Sequence, residues 1–120
     1  MASILVVDDQ LVMRNMFKNI LLIDGYDVDL ANDGKQAYSA ATKKKYDLVI
    51  TDLYMPELNG IELTVRLRKL NAYKGVPILV VSTESAVGKI EEGKKAGATG
   101  WVVKPVSDQK LLPILKKLLS

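Results

Sequence analysis

Asp8, Asp9, Asp52, Ser82 and Lys104 are the side chains best able to do chemistry together, and each follows a run of apolar residues: ILVV before Asp8-Asp9, LVIT before Asp52, ILVV before Ser82-Thr83 and WVV before Lys104. Three carboxylates at one rim repel one another and raise one another's pKa values unless a cation sits among them. Oxygen ligands without imidazole or thiolate favour Mg2+, with Mn2+ as a substitute, over Zn2+. Mg2+ commonly takes one or two carboxylates, waters and a phosphate oxygen. Ser82 can donate a hydrogen bond to a phosphoryl oxygen, and Lys104 supplies a mobile positive charge for it. Asp52 is then the candidate nucleophile. Taken singly, each residue has a plainer reading: a helix cap for Asp8 or Asp9, a loop hydroxyl for Ser82, a surface ion pair for Lys104. Their joint occurrence at the ends of the right strands favours the chemical reading.

The elements that must position these residues are short apolar runs separated by longer amphipathic ones. Strands are expected at Ile4 to Val7, Val28 to Ala31, Leu48 to Thr51, Pro77 to Val81 and Trp101 to Val103. Between the first two, Met13, Phe17, Ile20 and Leu21 recur at helical spacing, and Gly25 stands where a left-handed C-cap belongs. A second helix opens at Asn32-Asp33-Gly34, and a third spans about Ile61 to Leu70. The fourth, about Ala86 to Ala96, is the most polar and should be the least stable. The fifth runs from a Ser107 N-cap to Leu119, with Pro113 predicting a kink or a delayed start. Strict β and α alternation implies a doubly wound α/β fold, a parallel sheet with helices on both faces, and ligands outside the carboxyl ends of its strands.

Composition narrows the chemistry further. A chain of 120 residues, 48% hydrophobic and 26% charged, suits a single globular domain over 1–120. With no cysteine and no histidine it has no disulfide, thiolate or imidazole chemistry. The N-terminus lacks a signal-peptide pattern and no apolar run approaches a bilayer span, so a cytoplasmic protein without membrane insertion is expected. The net charge of +3 is mild, and Lys43-Lys44-Lys45 and Lys94-Lys95 read as solvated helix ends; no nucleic-acid partner is expected.

With ILVVDD at 4–9, LVITDLYMPELNG at 48–60, PILVVSTES at 77–85 and AGATGWVVKP at 96–105, the sequence resembles the receiver domain of two-component response regulators. Over essentially its whole length it is most similar to the stand-alone, CheY-like kind found in chemotaxis. The resemblance implies a flavodoxin-like (βα)5 fold of five strands in the order 2-1-3-4-5 with five helices. It implies that Asp52 accepts a phosphoryl group from a histidine kinase or a small acyl phosphate. Asp9 matches the direct Mg2+ ligand, Asp8 the ligand acting largely through water, and the Tyr54 backbone carbonyl the third protein ligand. Ser82 matches the switch hydroxyl and Lys104 the phosphate-binding lysine, with a cis peptide before Pro105. Such a chain catalyses its own modification and works as a phosphorelay signalling protein rather than an enzyme. Its output surface is expected on the fourth helix, fifth strand and fifth helix.

Four positions depart from the pattern or tune it. The aromatic switch position, usually Tyr or Phe, is Trp101, whose larger ring carries an N–H that needs a partner when buried; partial rotation is expected. Thr83 stands where a small residue is common and competes with Ser82 as donor. Tyr54 and Glu84 occupy the variable positions that flank the phosphate, and the Tyr54 ring is expected to hinder attack by water. A haloacid-dehalogenase-type phosphohydrolase would need an acid at position 54, and an FMN carrier a glycine- and hydroxyl-rich loop where this chain has DDQLVM. A receiver cut from a longer transcriptional regulator is the remaining alternative. The absence of a linker after the fifth helix favours a complete protein that signals by binding.

Overall fold

The computed structural model describes residues 2–120. Its strands are β1 (Ser3–Val7), β2 (Asp27–Ala31), β3 (Leu48–Thr51), β4 (Ile78–Ser82) and β5 (Gly100–Val103); its helices are α1 (Leu11–Ile23), α2 (Gly34–Lys43), α3 (Gly60–Arg68), α4 (Val87–Ala96) and α5 (Asp108–Leu119). All strand pairs are parallel, in the order β2-β1-β3-β4-β5. This is the expected doubly wound, flavodoxin-like architecture.

The period-2 alternation of strand side chains sends successive residues to opposite faces of the sheet. Ile4, Val6, Leu48 and Ile50 pack with Phe17 and Leu21 of α1 and Leu111 and Leu115 of α5. Leu5, Val7 and Val49 pack on the other face with Ala37 and Ala41 of α2 and Leu63 and Leu67 of α3. A third cluster, Leu53, Ile61, Val80 and Ala98 with Trp101 against it, lies beneath α4. Because β3 and β4 are buried along their whole length, they read as unbroken apolar runs. The edge strand β2 keeps two aspartates, one of them Asp29, in its DVDLA sequence.

Local chemistry sets the helix ends. Asp33 caps α2 by accepting from the Gln36 N–H, and Asn59 and Glu62 form a reciprocal capping box on α3. Gly25 follows α1 with φ +90° and Gly97 follows α4 with φ +112°, both in the left-handed region where a Cβ is strained. Ala86 leaves α4 without a side-chain cap, and Gly93 is its buried residue.

Of the two outcomes expected at Pro113, the structure overturns the delayed start. The helix starts directly after the Ser107 cap, which accepts from the Lys110 N–H at 3.2 Å, and α5 continues past the proline to Leu119. Pro113 and Gln109 are both exposed, so the Gln109 carbonyl that loses its helical donor faces water.

Candidate functional site

Parallel register gathers the chemical residues at one edge. Val7 pairs with Thr51, Thr51 with Val80 and Ser82 with Val103, so the residues that follow these strands emerge side by side. Backbone bonds continue past the strand ends: Asp8 N–H to Ala31 O at 3.1 Å, Asp52 N–H to Val7 O at 2.9 Å and Lys104 N–H to Ser82 O at 2.8 Å. Asp8, Asp52 and Lys104 therefore leave from backbone that the sheet still holds.

Asp8, Asp9 and Asp52 each bring a carboxylate oxygen within 4.8 Å of the others. Asp8 is buried, Asp52 half-buried and Asp9 exposed. The Lys104 ammonium lies 3.4 Å from Asp8 Oδ2 and 3.6 Å from Asp52 Oδ1. Burial is the main cause that raises the Asp52 pKa; Lys104 opposes it, Asp8 adds to it, the Leu53 N–H at 2.8 Å opposes it, and Asp9 adds to it. The donor set is wholly oxygen, with no softer ligand beside it. A compact carboxylate cluster of this kind fits a hard divalent cation such as Mg2+.

Asp8 does not cap α1, whose N-cap residue is Gln10 with no side-chain cap bond; it makes a local turn and faces the lysine instead. Its Oδ1 accepts from the Gln10 N–H at 2.9 Å, turning the chain into α1, while Oδ2 faces Lys104. Its backbone carbonyl accepts from Arg14 Nη1 at 2.8 Å. Arg14 was not singled out in the sequence, where one basic residue on the first helix looks like any other. Gly60 was also missed, although Asn59-Gly60 is a turn signal. Its N–H donates to Leu53 O at 2.8 Å, and a Cβ there would collide with the Asp52 carbonyl oxygen.

The neighbouring loop is organised by Glu84. Ser82 is fully buried, and its Oγ accepts from the Glu84 N–H at 3.2 Å. The Glu84 carboxylate accepts from the Tyr54 hydroxyl across the site and from the Ala86 N–H, and the Glu84 carbonyl accepts from Trp101 Nε1 at 2.9 Å. The bond to Glu84 is the main cause that raises the Tyr54 pKa and lowers that of Glu84. Tyr54 is 52% exposed, so its ring covers the loop rather than filling the core. Thr83 points away from the buried edge and lines a cavity of about 360 Å³ with Met13, Met16, Lys104, Pro105 and Val106. The Lys104–Pro105 peptide is cis. Among the described residues, no helix is long and apolar enough to cross a membrane.

Comparison with known proteins finds the same pattern. Residues 4–116 match the response regulator receiver domain. A chemotaxis protein CheY homolog of Campylobacter jejuni is 38% identical, over 98% of this chain and 92% of its own length. A structure of the chemotaxis protein CheY4 of Vibrio cholerae superposes with a TM-score of 0.96 at 41% identity, covering 99% of each chain. The receiver domain of a sensor histidine kinase from Pseudomonas aeruginosa, solved with a magnesium ion coordinated in its active site cleft, gives a TM-score of 0.91 at 30% identity, covering 98% of this chain and 97% of that one.

Proposed function

Because the chain belongs to the response regulator receiver domain family of two-component signalling, and to its CheY-like members, we propose that it receives its signal as a phosphoryl group on Asp52. The observation that carries this reading is the Lys104 ammonium set between Asp8 and Asp52, beside a cluster of three carboxylates at the carboxyl edge of the sheet. An Asp52 oxygen attacks the phosphorus of a kinase phosphohistidine or a small acyl phosphate. The donor's bond to phosphorus breaks, the donor leaves with its electron pair, and a mixed anhydride forms on Asp52.

Such transfer has a loose transition state, so alignment and charge neutralisation carry most of the catalysis. Asp8, Asp9, Asp52 and the Tyr54 backbone carbonyl would hold Mg2+, which when bound would supply Lewis-acid neutralisation of the acid cluster and the phosphoryl oxygens. Lys104 has two carboxylates in reach before transfer and a phosphoryl oxygen after it. Ser82, whose oxygen accepts from the Glu84 N–H, keeps its own proton for that phosphoryl group. New charge at Asp52 then draws the loop after β4 inward and alters the face of α4, β5 and α5 presented to a downstream protein. The chain acts as one domain over 1–120 in the cytoplasm, catalyses its own modification, and serves a chemotaxis-type pathway. The named Campylobacter and Vibrio relatives support that last step.

Incubation with acetyl phosphate and Mg2+, followed by intact mass, tests the reading. One hydroxylamine-labile phosphoryl adduct is expected, absent with EDTA and absent in Asp52→Asn. An adduct that persists in Asp52→Asn, or none in the unaltered chain, overturns it.

A further inference from the structure

Gly93 sits in the interior of α4, where glycine weakens a helix, so a local reason for it is needed. Trp101 provides one. A Cβ at Gly93 would stand 2.6 Å from Cζ3 and 3.0 Å from Cε3 of the indole, closer than carbon atoms pack. The six-membered ring of Trp101 therefore lies directly on the helix backbone. The opposite, N–H side of the same indole donates to the Glu84 carbonyl at 2.9 Å. Trp101 is also fixed at its backbone on β5, in register with Val80 of β4.

We propose that Gly93 is a positioning residue for the phosphorylation site: its missing side chain forms the seat that aims the Trp101 N–H at Glu84 and so holds the Ser82 loop in one conformation. The path is short and continuous. Glu84, bonded to Trp101 through its carbonyl, gives its N–H to Ser82 Oγ and takes the Tyr54 hydroxyl on its carboxylate. The seat thus orders the loop before any phosphoryl group arrives, and the aromatic ring has little distance left to travel afterwards. Residues 93 and 101 form a matched pair: an indole needs the glycine, while a smaller ring does not. The proposal rests on the reading of Asp52 as phosphoacceptor and Ser82 as its hydroxyl donor.

The test combines Gly93→Ala with Trp101→Phe in the full chain. Trp101 is the only tryptophan, so its emission reports the ring directly. Alanine favours helix more than glycine does, so an effect of helix propensity and an effect of the seat have opposite signs. Gly93→Ala is expected to move emission to longer wavelength and increase quenching by acrylamide while far-ultraviolet dichroism is kept. It is expected to slow Mg2+-dependent labelling of Asp52 by acetyl phosphate about two- to tenfold, the factor to which the net contribution of one neutral hydrogen bond converts. Trp101→Phe should slow labelling similarly, and adding Gly93→Ala to it should change nothing more.

Unchanged emission and quenching in Gly93→Ala would overturn the proposal, as would an equal further slowing when Gly93→Ala is added to Trp101→Phe. A Gly93→Ala chain that fails to fold supports the seat if Trp101→Phe restores folding and overturns it otherwise. If the unaltered chain takes no label, the phosphoacceptor reading falls, while the emission measurements still decide the seat.

Discussion

As the proposed phosphoacceptor, Asp52 would serve two opposed demands: it would have to be ionised to attack phosphorus, yet it sits half-buried beside Asp8 and Asp9, and burial raises its pKa. A carboxyl whose folded pKa lies above its unfolded one binds a proton more readily in the native state. Its ionised form therefore lowers stability above the folded pKa. That penalty is relieved as pH falls through the folded pKa and is gone below the unfolded value near 3.8. Asp52→Asn without Mg2+ should raise unfolding stability at pH 7 by about 1 kcal/mol, the ordinary scale of one substitution. The gain should shrink on acidification, as urea midpoints across a pH series would show. Tyr54 makes a separate demand, on time rather than on ionisation. If its ring, tied to Glu84, narrows the in-line path for water as the sequence reading expects, Tyr54→Asn should lose the phosphoryl group several-fold faster. Equal decay of the labelled species by intact mass would refute that role. Asp8, Asp9, Asp52, Ser82 and Lys104 were legible in the sequence because each ends an apolar run. The bond joining Tyr54 to Glu84 was not, because it spans thirty positions of sequence and depends on how two loops meet.

Among the elements, α3 is fitted most closely to the site. Its first residue, Gly60, lies against the Asp52 carbonyl, to which the Thr51 hydroxyl also donates at 2.8 Å. An added methyl must push either α3 or the end of β3. Gly60→Ala should cost about 1–3 kcal/mol as overpacking and slow labelling of Asp52 as well. A variant with unchanged urea midpoint and labelling rate would show that this contact is slack. The strands were read to within about a residue, because buried parallel strands leave unbroken apolar runs. At α5 the delayed start was misread, because the Ser107 cap begins the helix well before the proline. Only the packed helix shows that Pro113 faces solvent.

For the molecule as a whole, the site exists only when the sheet is assembled, since Asp8 and Asp9 lie far from Asp52 along the chain. A cation that binds the assembled cluster and not the unfolded chain stabilises the fold, by about 1.4 kcal/mol at ten times its dissociation constant. Mg2+ should therefore raise the melting temperature relative to EDTA, and Asp9→Asn should remove most of that increase; an equal increase in Asp9→Asn would place the ion elsewhere. Arg68 shows how far tertiary structure decides the rest. Among the described residues its partly buried guanidinium bonds only neutral oxygens, including Gly97 O at 2.9 Å, Val76 O at 2.6 Å and Thr99 Oγ1 at 3.2 Å, and burial lowers its pKa. It thereby ties the end of α3 to the turn that precedes β5, yet in sequence it is one basic residue in RLRKL. By itself the sequence determined the alternation of elements and the residues at the strand ends, because apolar periodicity and strand termini are local properties of the chain. Only the tertiary structure decided that Arg14 holds Asp8, that Glu84 joins Tyr54, Ser82 and Trp101, and that Gly93 makes room for an indole. Those contacts join segments distant in sequence, and their geometry is set by how helices and loops pack on the finished sheet.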